Sequence, residues 1–185
     1  IKRPGSLKVI IMNIENPHSI VYREVQTIQS LWIWGMIMIP VGIIIYGMIQ
    51  QLNFKIPWGN NPTSDTGLLV IGLIVIIGLP LFMKMVRLEI QVRDGGIFFR
   101  YVPFHFRFQR ILIDKIISYQ VIHYRPLRDY GGWGIRYGKY GKVYSISGNT
   151  GFQIMTTNQK KILLGTLKPD ELKNAVDSIW KCSDK

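Results

Sequence analysis

The sequence has 185 residues and a mass of 21.4 kDa, the size of one domain or of one small domain with an attachment. Lys and Arg number 23 against 11 Asp and Glu, a net charge of +12, yet charged residues make up only 18% of the chain, where roughly 25% is usual. This excludes an acidic disordered tail and a collagen-like chain. With Cys182 as the one cysteine, it also excludes a disulfide scaffold or a thiolate metal site.

Residues 1–30 read as an N-terminal segment carrying Lys2, Arg3, Lys8 and Arg23. No charge then occurs between Glu24 and Lys55. Within this stretch, Leu31 to Ile49 is apolar all round, and as a helix it spans about 28 Å, close to the ~30 Å hydrocarbon core of a bilayer. It begins too far into the chain and is too long for the apolar region of a secretory signal peptide. A second charge-free run covers Thr66 to Met83. The pattern predicts a transmembrane hairpin over 31–83, with helices at about 31–49 and 67–83 and a polar loop over 50–66. A core helix would show one apolar stripe rather than an apolar circumference. Pro40 is expected to kink the first helix. Trp32, Trp34, Tyr46 and Trp58 suit the aromatic belts of a membrane interface. The loop carries one Lys and one Asp, whereas both flanks are basic. The positive-inside rule therefore predicts a multi-pass protein of the cell membrane with both termini cytoplasmic.

Residues 84–185 hold 18 basic and 8 acidic residues, which places +10 of the net charge here. Val86 to Arg93 alternates, Asp94-Gly95-Gly96 turns, and Ile97 to Val102 returns, a hairpin signal. Phe104 to Arg110 alternates again and reads as a further strand. Ile111 to Tyr124 reads as a turn at Asp114 followed by a strand. Lys142 to Ser147, Phe152 to Thr156 and Lys160 to Gly165 complete about seven strands. Lys168-Pro169-Asp170-Glu171-Leu172 then opens a helix with Leu172, Ala175, Val176, Ile179 and Trp180 on one face. The expected fold class is an α+β membrane protein, in which the hairpin precedes a β-barrel or sandwich closed by a C-terminal helix.

That order of elements is the order of a pleckstrin-homology (PH) fold. The segments KKILLGTLKPDELKNAV (Lys160 to Val176), YREVQ (Tyr22 to Gln26) and YRPLRDYGGWGIRYG (Tyr124 to Gly138) carry a closer likeness. The chain resembles an uncharacterised prokaryotic family of two-helix membrane proteins with a bacterial PH-like domain, over roughly residues 20 to 181. The resemblance implies a membrane-tethered β-domain and brings no catalytic residue set with it.

Two constellations remain. The Gly131 to Gly141 stretch reads as a glycine-turned loop with its aromatics packed on the sheet, or as a binding surface. In the second case Arg125, Arg128, Trp133, Arg136, Tyr137, Lys139 and Tyr140 are the contact residues. It lacks the GK[ST] ending or strand–helix setting of a nucleotide loop. Arg87, Arg93, Arg100, Arg107 and Arg110 form a basic strip just after the second apolar run, and they read as solvated charge or as contacts with anionic headgroups. His18, His105 and His123 are scattered, and no HExxH, CxxC, EF-hand or GxSxG pattern occurs. No catalytic, metal or cofactor residues are therefore expected. No nucleic-acid recognition element appears either. The expected function is a non-catalytic accessory or assembly subunit docking on a larger membrane protein complex. A module binding anionic-lipid headgroups or sensing the membrane surface is the alternative.

Overall fold

A computed structural model describes residues 20–138 and 140–183. In chain order, strand β1 (Ile20–Thr27) leads into helices α1 (Leu31–Asn53) and α2 (Asp65–Met85), and then into β2 (Arg87–Arg93), β3 (Gly96–Val102) and β4 (Gln109–Leu112). A short 3-10 turn precedes β5 (Ile116–His123), the five-residue helix α3 (Pro126–Tyr130), β6 (Gly134–Gly138) and β7 (Gly141–Ser145). β8 (Thr150–Thr156), β9 (Lys161–Gly165) and helix α4 (Pro169–Ser183) close the chain.

The strands form two sheets. The first is an antiparallel meander in the order β1-β2-β3-β4. The second has the order β5-β8-β9-β7-β6, in which only β7 and β9 run parallel. Alternation in the sequence dictates the core. Leu88, Ile90 and Val92 of β2, Ile97 and Phe99 of β3, Phe152 and Ile154 of β8 and Leu164 of β9 are all fully buried in one cluster. Leu172 and Val176 of α4 join that cluster, so the C-terminal helix lies across one open side of the two sheets. Each such side chain contributes roughly 1.5–3 kcal/mol by leaving water.

The β-region differs from its sequence reading in four respects. The two sheets share no ladder among the described residues, so the arrangement is an open two-sheet unit and not a closed barrel. Eight strands, not seven, follow the helices, and a ninth, β1, comes from before them. Phe104 to Arg110 is mostly not a strand. Pro103 lacks the N–H a ladder needs, and the chain turns there, with His105 N–H donating to Tyr101 O at 2.7 Å. Finally, Gly131 to Gly141 is not a long loop. It holds the β6–β7 hairpin, whose return strand starts at Gly141 with φ +93°, close against Lys161. A side chain there would strain the backbone and collide with that neighbour.

The apolar runs form two helices of 23 and 21 residues, long and apolar enough to cross a membrane, at about 34 and 31 Å. Each is longer than its sequence reading. The first extends through Gln50–Asn53, and the second starts at Asp65 under a Ser64 cap, whose Oγ accepts from Gly67 N–H at 3.2 Å. The wide π turns fall at Ile49–Asn53 and Ile74–Gly78, not at Pro40. The second lies just before Pro80, which has no N–H to return to the preceding turn. Trp58 of the loop folds onto Gly47, and Met48 packs on Gly72. Gln51 Nε2 donates to Thr63 O at 2.8 Å and to Asp65 Oδ1 at 2.9 Å, tying the two helix ends together.

At the other end both helices are rooted in one sheet. Residues 28–30 join β1 to α1, and Val86 alone joins α2 to β2. Thr27 and Arg87 face each other in register on the two adjacent strands.

Candidate functional site

The basic strip does not form one free face. On the outer side of the first sheet, Glu89 is 2% exposed and accepts from Arg23 Nε at 2.9 Å and from Arg100 Nε at 2.9 Å. Gln91 Nε2 also donates to it, at 2.7 Å, and Gln91 Oε1 accepts from Arg93. The Arg100 guanidinium lies 4.5 Å from the Phe108 ring centre, and that of Arg93 lies 4.8 Å from Phe98. Burial would raise Glu89, but hydrogen bonds from Arg100 and Gln91 and the charges of Arg100 and Arg23 hold it below its ordinary value. Arg93 and Arg100 are therefore held by contacts within the sheet. Arg87, Arg107 and Arg110 are exposed.

A second buried network joins the two ends of the chain. Glu24 is buried on the core-facing side of β1. It accepts from Tyr22 OH (2.8 Å), Gln26 Nε2 (3.0 Å), Thr166 Oγ1 (2.7 Å) and the Leu167 N–H (2.8 Å). Gln26 Nε2 also donates to Gly165 O at 2.7 Å. Two of the motif segments quoted above, YREVQ and the Gly-Thr-Leu of the C-terminal stretch, thus meet in space. Burial, and then the hydrogen bond to Glu24, raise the Tyr22 phenol far above its ordinary value. Apart from the buried Gln26 Oε1, which has no partner among the described residues, these groups satisfy one another, so the network is architecture.

Five of the remaining candidates border two clefts. Arg125 and Arg128 border one of about 470 Å³, with Asp129, His123 and Tyr140. The other, of about 530 Å³, lies between the turn after β3 and the β6–β7 hairpin. Trp133 and Arg136 line it, with Lys142, Tyr101, Phe104 and His105. Trp133 is half-buried; its Nε1–H donates to Gly148 O at 3.0 Å, and its ring centre is 6.2 Å from that of Trp32 in the first turn of α1. Phe104 stands 6.4 Å from Phe82, near the end of α2. The cleft therefore sits at the base of the helical hairpin. Tyr137 lies on the hairpin surface, 76% exposed, with the Lys142 ammonium 5.4 Å from its ring centre. Lys139 lies outside the described residues.

The charge of the larger cleft is one-sided. Arg136 and Lys142 line it, and among the described residues no carboxylate does. Neither cation is ion-paired among the described residues. The buried Nδ1 of His105 has no hydrogen-bond partner among the described residues. Burial, then the Lys142 charge, lowers its pKa, which keeps the ring neutral. Burial pushes Tyr101 up to about 12 against the pull of Arg136, so its hydroxyl stays protonated. Nothing in the sequence marks Lys142, Tyr101, Phe104 or His105 as a site residue. Their only signal is that they flank Pro103 and the glycine-rich stretch, and nothing in their spacing says that these two stretches meet. Among the described residues no group of three or more His, Cys, Asp or Glu converges as a metal site would require.

Fold and site together define an α+β protein in which two apolar helices rise from one sheet and a cation-lined cleft lies at their base. The chain belongs to the family of unknown function DUF6141, whose family model matches residues 14–181. No curated protein and no solved structure matches it.

Proposed function

We propose that the chain is a non-catalytic, membrane-anchored module with a PH-like β-unit, acting as an accessory or assembly subunit of a larger membrane protein complex. The rooting of the hairpin carries this reading. One connecting residue on one side and three on the other, with Thr27 paired to Arg87, tether the helices directly to the first sheet. A partner that grips the helices also positions the β-unit.

The helices leave much of their surface for such a partner. Nothing lies within 4 Å of where a Cβ would stand at Gly35 or Gly42 of α1, and small residues are where membrane helices approach closely. The buried carboxylates Glu24 and Glu89 are both spent on internal hydrogen bonds, which supports a role without catalysis. Four antiparallel strands, a second sheet and a helix across the open side support the PH-like reading. The basic flanks and nearly uncharged loop support a cytoplasmic β-unit.

The test is gentle detergent extraction of the tagged chain, native sizing, and mass spectrometry of what comes with it. Companions in fixed stoichiometry are expected. A chain that runs alone in every mild detergent overturns the reading.

A further inference from the structure

We propose that the cleft between the turn after β3 and the β6–β7 hairpin binds the phosphate of an anionic lipid headgroup. This rests on the hairpin lying in a bilayer, and not on the chain having a partner subunit.

Position comes first. The walls of the cleft that face the helices are Trp133 and Phe104, which touch Trp32 at the start of α1 and Phe82 near the end of α2. These residues mark the same end of both apolar helices. With the helices in the hydrocarbon, the cleft opens at headgroup depth. Phe104 and Phe106, 64% and 73% exposed, flank it beside exposed Arg107. An aromatic and basic turn of this kind suits the boundary between acyl chains and phosphates.

Chemistry comes second. Arg136 offers a planar fork that matches two phosphate oxygens, and Lys142 offers a second charge. Among the described residues no carboxylate lines the cleft or pairs with either. His105 lines the same cleft, and its buried Nδ1 has no hydrogen-bond partner among the described residues. A volume of about 530 Å³ is within the roughly 300–1,000 Å³ of small-ligand sites, enough for a phosphate with its polar substituent. A free phosphate ester has the same chemistry, but the site's place at the helix ends favours the lipid.

The experiment uses the full chain in mild detergent, with native mass spectrometry of lipid retained from titrations of phosphatidylglycerol and phosphatidylcholine. One phosphatidylglycerol per chain is expected, retained well above phosphatidylcholine. Arg136→Gln with Lys142→Gln removes two contacts and is expected to weaken retention about thirtyfold. Lys160→Gln with Lys181→Gln, both exposed, removes as much charge elsewhere and is expected to change it less than about threefold. Equal retention of the two lipids overturns the proposal, as does equal loss in both double variants. Glycerol 3-phosphate binding to the chain without phosphatidylglycerol retention overturns the lipid assignment in favour of a soluble ester. If the double variant does not fold, a photoactivatable phosphatidylglycerol is crosslinked to the unaltered chain. Adducts on 101–105 and 133–142 are expected, and adducts confined to the helices overturn the proposal.

Discussion

The Thr166 hydroxyl donates a 2.7 Å hydrogen bond to the Glu24 carboxylate, across 142 residues of sequence. The contact fastens the strand that enters the first apolar helix to the turn that starts the last helix. Its neighbours make it costly to disturb. Glu24 collects four donors, and no cation is among them.

Glu24→Ala strands those donors in a buried site, at about 1–3 kcal/mol for each that finds no new partner. Glu24→Gln is milder. Its oxygen can keep Gln26 and Leu167, while the Tyr22 and Thr166 hydroxyls rotate to accept from its NH₂. The expected order of thermal stability in detergent is therefore unaltered chain, then Gln, then Ala. Equal losses for Gln and Ala count against this account.

That network also shows why part of the fold was hidden in the sequence. β1 turns Tyr22, Glu24 and Gln26 inward and Arg23 and Val25 outward. Its polar residues face the core side, so the usual alternation signal is inverted and the strand is not legible from pattern. β2 and β3, with Leu88, Ile90, Val92, Ile97 and Phe99 inward, were plain. So were the two apolar helices and the face of α4. The cleft was only half legible. Arg136 and Trp133 stand out within the glycine-rich stretch. His105 and Lys142 do not, because a meeting between a turn and a distant hairpin is decided by tertiary packing.

Glu89 predicts an acid limb of stability. Its folded pKa lies below the ordinary 4.5, because the Arg100 and Gln91 hydrogen bonds and the Arg100 and Arg23 charges outweigh burial. The stabilisation is present above the unfolded value and is lost as pH falls through the folded one. Glu89→Gln is expected to lower stability near neutral pH and to flatten the decline below about pH 4.5. Thermal unfolding across a pH series measures both. A variant that keeps the full acid decline assigns it to other carboxylates.

Two glycines of α1 separate the inside of the hairpin from its outside. A Cβ at Gly47 would stand 2.5 Å from ring atoms of Trp58, whereas one at Gly42 meets nothing within 4 Å. Gly47→Leu is expected to push Trp58 off the helix and shift its emission, read against a Trp58→Phe background. Gly42→Leu is expected to leave emission and stability unchanged while reducing co-purified companions. A Gly42 variant with companions intact places the partner surface elsewhere.

The pairing of Thr27 with Arg87 makes the β-unit separable in one way and not in another. A fragment of residues 84–185 lacks β1. It leaves one edge of β2 unpaired and strips Tyr22, Glu24 and Gln26 from the core side. An unpaired edge of this kind is prone to aggregate, and this fragment is expected to be insoluble or molten. Replacing residues 28–86 by Asn-Gly joins the same two strands through a two-residue hairpin turn, the length that suits adjacent antiparallel strands. Because Thr27 and Arg87 are already opposite each other, no register change is needed. The joined chain is expected to be soluble and monomeric and to unfold cooperatively, with circular dichroism of a β-rich protein. If the plain fragment folds equally well, β1 is dispensable and the helices are less firmly rooted than the register implies.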